Sequence, residues 1–304
     1  MKIAPPLSKD GIPASTVHLH GGEWPTVLDA LCARFPQIGR AQWHDRMTRG
    51  VVFDAQGNSI GVGHAYRAGM RVHYFREVAS EAPIPFAEAV LYADEHLVIG
   101  DKPHFLPVMP AGVHVRETLQ TRLIARLHNP DLVPLHRIDR ATAGIVMLSC
   151  NPSTRPAYQA LFRERRIRKR YEALAPPLPD LTFPLVRRSR IVRGPEFFRM
   201  QETGGAPNSE TTIDVIERGA TIWRYALTPV TGRTHQLRVQ MAGLGAAIIG
   251  DRLYPRLQPQ APDDHARPLQ LLAHALEFTD PLDGTARRFE SRLRLEDLEG
   301  SEFP

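Results

Sequence analysis

Residues 135–149, LHRIDRATAGIVMLS, decide how the rest of the chain is read. A polar loop over 136–144 runs directly into Ile145, Val146, Met147 and Leu148. That apolar run has the length and β-branched content of a buried strand. Asp139 then sits on a loop anchored by the strand, with Arg137 and Arg140 on either side. A carboxylate among guanidinium groups is held ionised, which suits a nucleophile better than a general acid. Taken alone, the same residues also describe an Asp turn in a surface salt bridge.

The 304 residues suffice for one large domain or two ordinary ones, and 42% hydrophobic content supplies a core. No stretch reaches the roughly 18 apolar residues of a membrane span. The first fifteen residues contain proline and glycine, read as extended, and lack the apolar segment of a secretory signal. With two isolated cysteines, Cys32 and Cys150, the chain has neither a disulfide framework nor a zinc site, and a cytoplasmic location is expected. The net charge is +5 and the sequence pI about 9.5. The charge is concentrated: residues 163–170, RERRIRKR, hold six basic side chains and Glu164, and Arg187, Arg188, Arg190 and Arg193 follow. Such a stripe is either a solvated helix face or a surface for phosphates, giving affinity without sequence choice.

Along the chain, apolar spacing predicts a helix over 24–35 with Thr26 as N-cap, and a second, arginine-rich helix over 40–49. Gly50 ends it, and strands are predicted at 51–53 and 71–75, so residues 16–78 form a small module. Residues 79–87 have linker composition, and 88–304 read as the main domain. Strands are predicted at 89–92, 96–100, 145–148, 168–175, 222–227, 271–278 and 287–293. Helices are predicted at 116–128, 158–166 and 235–244. Residues 181–215 are poorly periodic and read as short strands and a long loop. Strands outnumber helices and look antiparallel, so the expected class is α+β, a mixed and mostly antiparallel sheet with flanking helices.

Three segments carry polar groups at element ends: HRIDRATAG at 136–144, Lys169-Arg170-Tyr171-Glu172-Ala173, and TGRTHQLRV at 231–239. Together with LVIGDKP at 97–103, GDRLYP at 250–255 and LLAHALEFTDPLDG at 271–284, they resemble the RluA-type pseudouridine synthases, in family order, over about residues 90–293. The resemblance implies an RNA uridine isomerase that works without metal or organic cofactor. It implies that Asp139 is the catalytic aspartate, that Tyr171 lies against the target uracil, and that Arg233 pairs with Asp139. Leu237 would line the pocket, and Arg137 would fill the gap left by a flipped nucleotide. His136, Thr142, Arg168 and Lys169 are expected to bind substrate around them. RNA is the expected partner, ribosomal before transfer RNA, and a monomer is the default.

The chain departs from the family pattern at Ile138, at Ala143 where serine is usual, and at Gln240 where histidine is usual. Residues 16–78 resemble, more weakly, a small RNA-binding domain shared with a ribosomal small-subunit protein, with Trp43, His44 and Asp45 interrupting its basic signature. Three chemistries stay open: Asp139 adds to the first sugar carbon, attacks the ring, or promotes a glycal with Tyr171 as proton acceptor. A catalytically idle RNA-binding protein is the alternative class. A histidine-based metal hydrolase is disfavoured, because His114, His128 and His136 are irregularly spaced and no HExxH or paired CxxC is present.

Overall fold

A computed structural model describes residues 8–9, 12–75, 77 and 81–296 of the chain. Much of the extended N-terminus and residues 79 and 80 of the expected linker lie outside the described residues. The chain folds as two units. The first takes in residues 1–82, 110–116 and 121–131, and the second takes in 83–109, 117–120 and 132–304.

In chain order the elements begin with β1 (Ser8–Lys9), β2 (Ile12–Pro13), β3 (Ser15–Leu19), α1 (Val27–Arg34), α2 (Arg40–Thr48), β4 (Val52–Phe53) and β5 (Met70–Tyr74). They continue with β6 (Ala89–Ala93), β7 (Leu97–Lys102), α3 (Leu119–Leu127), β8 (Val133–Pro134), β9 (Ala143–Ser149), α4 (Arg155–Arg163) and β10 (Arg168–Ala175). The last are β11 (Leu185–Arg193), β12 (Met200–Thr203), β13 (Ser209–Arg218), β14 (Trp223–Pro229), α5 (Gln236–Gly243), β15 (Leu271–Thr279) and β16 (Ala286–Glu290).

In the first unit α1 starts where the sequence puts its cap. The Thr26 hydroxyl accepts from the Asp29 amide at 3.2 Å, and the Thr26 amide donates back to Asp29 at 3.1 Å. Both helices and the three-stranded sheet β3-β5-β4 close on Leu28, Leu31, Trp43, Met47 and Val72. The arginines of the second helix are already matched: Arg40 with Asp29, Arg49 with Asp45 and Glu77, and Arg46 with Glu77.

The second unit is built on an 11-stranded sheet with the path β12-β11-β13-β14-β10-β15-β9-β7-β6, joined by β16 on β15 and β8 on β9. It is antiparallel except between β9 and β15, so the α+β class holds. Helix α4 packs Tyr158 and Leu161 against Ile99, Met147 and Leu276, while α5 packs Leu237 and Met241 against Ile213, Tyr225 and Leu227. Residues 181–215 are corrected: β11 and β13 are nine and ten residues long and pair side by side. Their inward face is partly polar, with Ser209 and Thr211 buried beside Ile213, so apolar alternation is broken where the strand is most regular.

Two irregularities place the site. Gly144 has φ +110°, and a Cβ there would overlap the backbone of Ala273, so only glycine lets β9 approach β15 this closely. One step away, Arg170 pairs with Ala275 but Tyr171 pairs with Ala273, leaving His274 as the extra residue of a bulge. A bulge bends its strand and re-aims the side chains beside it. Tyr171 is thereby set beside the start of β9 and the Asp139 loop.

No helix among the described residues is long and apolar enough to cross a membrane. Gly144→Ala meets both a forbidden backbone region and a backbone overlap, so a loss of about 3 kcal/mol is expected. The denaturant midpoint of the variant measures it, and a midpoint equal to that of the parent contradicts this role for Gly144.

Candidate active site

The loop after His136 is held from beneath. Ile138 is buried, and the Thr142 amide donates to the Asp139 carbonyl at 3.1 Å. Lys102, fully buried at the end of β7, donates to the carbonyls of Pro103 at 3.0 Å and Arg140 at 3.2 Å. His104 Nδ1 lies 2.7 Å from the Ala141 carbonyl, which can only accept, so Nδ1 carries a proton. These bonds use up the carbonyls of the turn and leave the Asp139 carboxylate standing clear, 22% exposed.

Among the described residues that carboxylate has one close cationic partner, Arg238, whose Nη1 donates to Oδ2 at 3.1 Å. The other edge of the guanidinium is clamped by Asp251, with Nε and Nη2 each donating at 2.7 Å. Arg238 is 6% and Asp251 0% exposed. Burial works against the Arg238 charge, and Asp251 and Asp139 together more than offset it. Asp251 is itself oriented by the amides of Leu253 and Tyr254. A fork with one edge fixed by a buried carboxylate can present its remaining N–H in only one direction, and that direction is Asp139.

His235 adds a second, longer approach to Asp139, with Nε2 at 3.8 Å. It is the residue before α5 and has φ +54°, a left-handed conformation that histidine adopts uncommonly. Its Nδ1 is 2.9 Å from the Tyr254 hydroxyl, which accepts from the Met200 amide at 2.8 Å. Burial lowers the basicity of the His235 ring, Asp139 opposing. The Tyr254 ring also stacks under the Arg238 guanidinium, 5.4 Å from its centroid.

The cavity above Asp139 has a volume of about 90 Å³ and is lined by Tyr171, Leu237, Thr142, Lys169, Arg137 and Arg233, among others. Among the described residues Asp139 is the single carboxylate of its lining. Burial, with Asp139 adding, pushes the Tyr171 phenol well above the ordinary tyrosine range, so it stays protonated. His136 lies on an adjoining cavity, where its Nε2 accepts from the Met147 amide at 3.0 Å and burial takes its imidazole down to about 3.

The expected pairing of Arg233 with Asp139 is corrected. Arg233 lies in the turn before α5, is exposed, and its Nε donates to the Asn208 carbonyl at 3.1 Å. Arg238, five residues on and inside the helix, is the residue turned toward the acid. Nor do the flanking arginines serve: Arg140 pairs with Asp263, and Arg137 stands exposed on the cavity rim. Arg168 lines neither cavity and lies 3.9 Å from Glu277. Lys102, Arg238, Asp251 and Tyr254 all fall in segments whose pattern was recognised, but nothing in the sequence told which side chain turned inward. The same holds for His235, inside the segment 231–239, whereas His104 lies one residue past the recognised segment 97–103 and carried no signal beyond its residue type.

Two of the three departures from the family pattern, Ala143 and Gln240, have local reasons. Ala143 is fully buried in an apolar cluster with Leu174, Ile222, Leu272 and Leu295, where a hydroxyl would gain nothing. Gln240 accepts from the Thr211 hydroxyl at 2.6 Å and donates to the Ser189 and Ser209 hydroxyls at 3.1 and 3.2 Å. Its two-ended amide ties α5 to β11 and β13 and so fixes the helix that carries Arg238.

Burial lowers Lys102 from the ordinary 10.5 to about 7, with Asp139 opposing and Arg140 adding. Between these values the unfolded chain holds a proton that the folded chain lacks, so stability contributed by this group rises with pH from about 7 to about 10. Above about 10 the raised tyrosines Tyr158, Tyr171 and Tyr225 reverse the trend, because there the folded state holds the extra protons. Lys102→Met is expected to flatten the rise, by up to about 1.4 kcal/mol per pH unit. Denaturation curves at about pH 7.5 and about pH 9.5 check this sign, and equal slopes for parent and variant contradict it.

The profile of the family described as RNA pseudouridylate synthase matches residues 96–243. The dual-specificity RNA pseudouridine synthase RluA of Salmonella typhimurium is 33% identical over 206 residues, 66% of this chain and 91% of that protein. The RluA of Escherichia coli (strain K12) is 32% identical over 209 residues, again 66% and 91%. An uncharacterized RNA pseudouridine synthase of Synechocystis sp. is 29% identical over 232 residues, 75% of this chain and 79% of its own. Among solved structures, human RNA pseudouridylate synthase domain containing 4 superposes with a TM-score of 0.53 at 25% identity, covering 67% of this chain and 88% of that one. The fold is also that of human RNA pseudouridylate synthase domain containing 1, with a TM-score of 0.55 at 24% identity over 70% and 86%. With the carboxylate, its arginine and the tyrosine gathered on one cavity of this fold, the chain belongs to the RNA pseudouridylate synthase family and is an RNA pseudouridine synthase, an isomerase.

Proposed function

We propose that the enzyme isomerises a specific uridine in a structured RNA, ribosomal RNA first and transfer RNA second, with Asp139 as the catalytic group. The observation that carries this reading is the single carboxylate of the cavity, partly exposed and aimed by a buried guanidinium. In the reaction the bond from uracil N1 to the first sugar carbon breaks, the ring turns, and a bond forms from C5 to that carbon. The C5 proton leaves and N1 takes up a proton, so no atom is gained or lost.

A stacked base has no room for this rotation, so the nucleotide leaves the helix at a cost of a few kcal/mol. Arg137 and Arg233, exposed on the rim, are the side chains placed to shift as the base enters. Arg137 then occupies the vacancy in the RNA. Tyr171 packs on the extruded ring, a contact worth roughly 1–3 kcal/mol. Burial holds the phenol protonated, which suits packing on the ring. Addition to the sugar, attack on the ring and formation of a glycal all use the Asp139 carboxylate, and Arg238 aims it.

Phosphate affinity is assigned to the cations of the second unit. The second helix of the first unit, resembling an RNA-binding helix, carries arginines already matched by carboxylates, so its contribution to affinity is small. Asp139→Asn retains the shape and the hydrogen bond from Arg238 but not the charge. It is expected to bind RNA like the parent and to lose pseudouridine formation by more than about 10³-fold. Tritium release from RNA labelled at uracil C5 reads the product, and normal release by the variant overturns the assignment.

A further inference from the structure

Beside the Asp139 cavity lies a second, larger one of about 400 Å³. The two share Arg137, Lys169, Tyr171 and the turn Thr231, Gly232 and Arg233 as a common wall. The second has an apolar side formed by Leu135, Leu161, Phe162 and Ile167, with Phe162 stacked on His136 at 4.9 Å between ring centroids. Its lining also holds the cations Arg137, Arg165, Lys169 and Arg233, and among the described residues no carboxylate lines it.

Arg165 stands out in the basic stripe. Arg163 and Arg166 are both drawn to Glu164, at 3.2 and 3.0 Å, and Arg168 approaches Glu277. Arg165 has no carboxylate partner among the described residues and is exposed on the cavity wall. It also occupies an unusual backbone position. Helix α4 ends in two closing bonds, from the Arg166 amide to the Leu161 carbonyl at 2.8 Å and from the Arg165 amide to the Phe162 carbonyl at 3.2 Å. This closure demands a left-handed residue, and Arg165 supplies it at φ +56°. Glycine meets that demand with less strain and is the residue commonly found there. A cation therefore stands at a position where the fold itself favours glycine.

We propose that this second cavity holds the nucleotide adjoining the target uridine in the RNA strand, its base on Phe162 and its neighbours and its phosphate on Arg165. The inference rests on the function proposed above. One phosphodiester joins neighbouring nucleotides, and the shared wall puts the second cavity within that reach of the first. Apolar side chains and cations lining one cavity suit an aromatic base carrying an anion.

Arg165→Gly separates the two demands on the position. The variant is expected to keep or raise its melting temperature, because glycine suits the helix end. Its Kd and KM for a uridine-containing RNA oligonucleotide are expected to rise roughly fivefold or more, with kcat little changed. The plot of log Kd against log salt is expected to flatten by about one unit, the share of a single phosphate. An RNA abasic on one side of the target is expected to bind the parent more weakly than intact RNA, and Phe162→Leu to lose that distinction. Unchanged affinity and salt slope in Arg165→Gly, with abasic and intact RNA bound alike by the parent, overturn the proposal. Affinity is read apart from product, so a parent that makes no pseudouridine counts against the functional reading while the affinities still decide the cavity.

Discussion

A buried guanidinium held on two sides by carboxylates is the constraint on which the site depends. Arg238 is expensive to bury alone, and its position is tolerable because Asp251 takes two of its N–H groups and Asp139 a third. Of the two acids, one is sealed and serves as anchor; the other is partly open and faces the cavity. The asymmetry follows from chain position. Asp251 is buried and fixed by the amides two and three residues after it, whereas Asp139 stands on a loop whose carbonyls are already bonded to Lys102 and His104.

The sheet brings these groups together through its defects. A regular antiparallel ladder would space β9, β15 and β10 evenly and point alternate side chains away from one another. Gly144 removes the spacing limit between β9 and β15, and the bulge at His274 shifts Tyr171 by one register step. The helix carrying Arg238 is then pinned by the amide ladder of Gln236, Thr211 and Gln240, polar groups buried and satisfied by one another. Such a network leaves few alternative positions for the helix, and an error of about 1 Å at a reacting group costs on the order of 10²-fold in rate.

Much of this was legible in the sequence, and the failures have definite causes. The loop before β9, the tyrosine in β10 and the turn before α5 each carried a local pattern, and all three meet at one cavity. The choice between Arg233 and Arg238 did not, because both lie in one nine-residue segment and only the helix start at Gln236 decides which is turned inward. The acid they compete for is 99 residues earlier in the chain, so no spacing rule connects them. Strands β11 and β13 were read as irregular because their buried face uses Ser209 and Thr211 to meet Gln240, replacing the apolar signal with a polar one. The basic stripe was read as a unit, yet Glu164 neutralises its middle and leaves Arg165 and Lys169 on the cavity.

Asp251 lines neither of the two cavities described, which makes it the cleanest probe of whether the buried clamp governs the Asp139 carboxylate. The direct measurement is a cycle of kcat and KM for the parent, Asp251→Asn, Arg238→Lys and the double variant, each verified as folded. If the clamp acts through the aim of Arg238, each single change lowers kcat on the order of 10²-fold with KM nearly constant, and the double change is no worse than the poorer single one. Losses that multiply, or that appear in KM alone, would contradict the account.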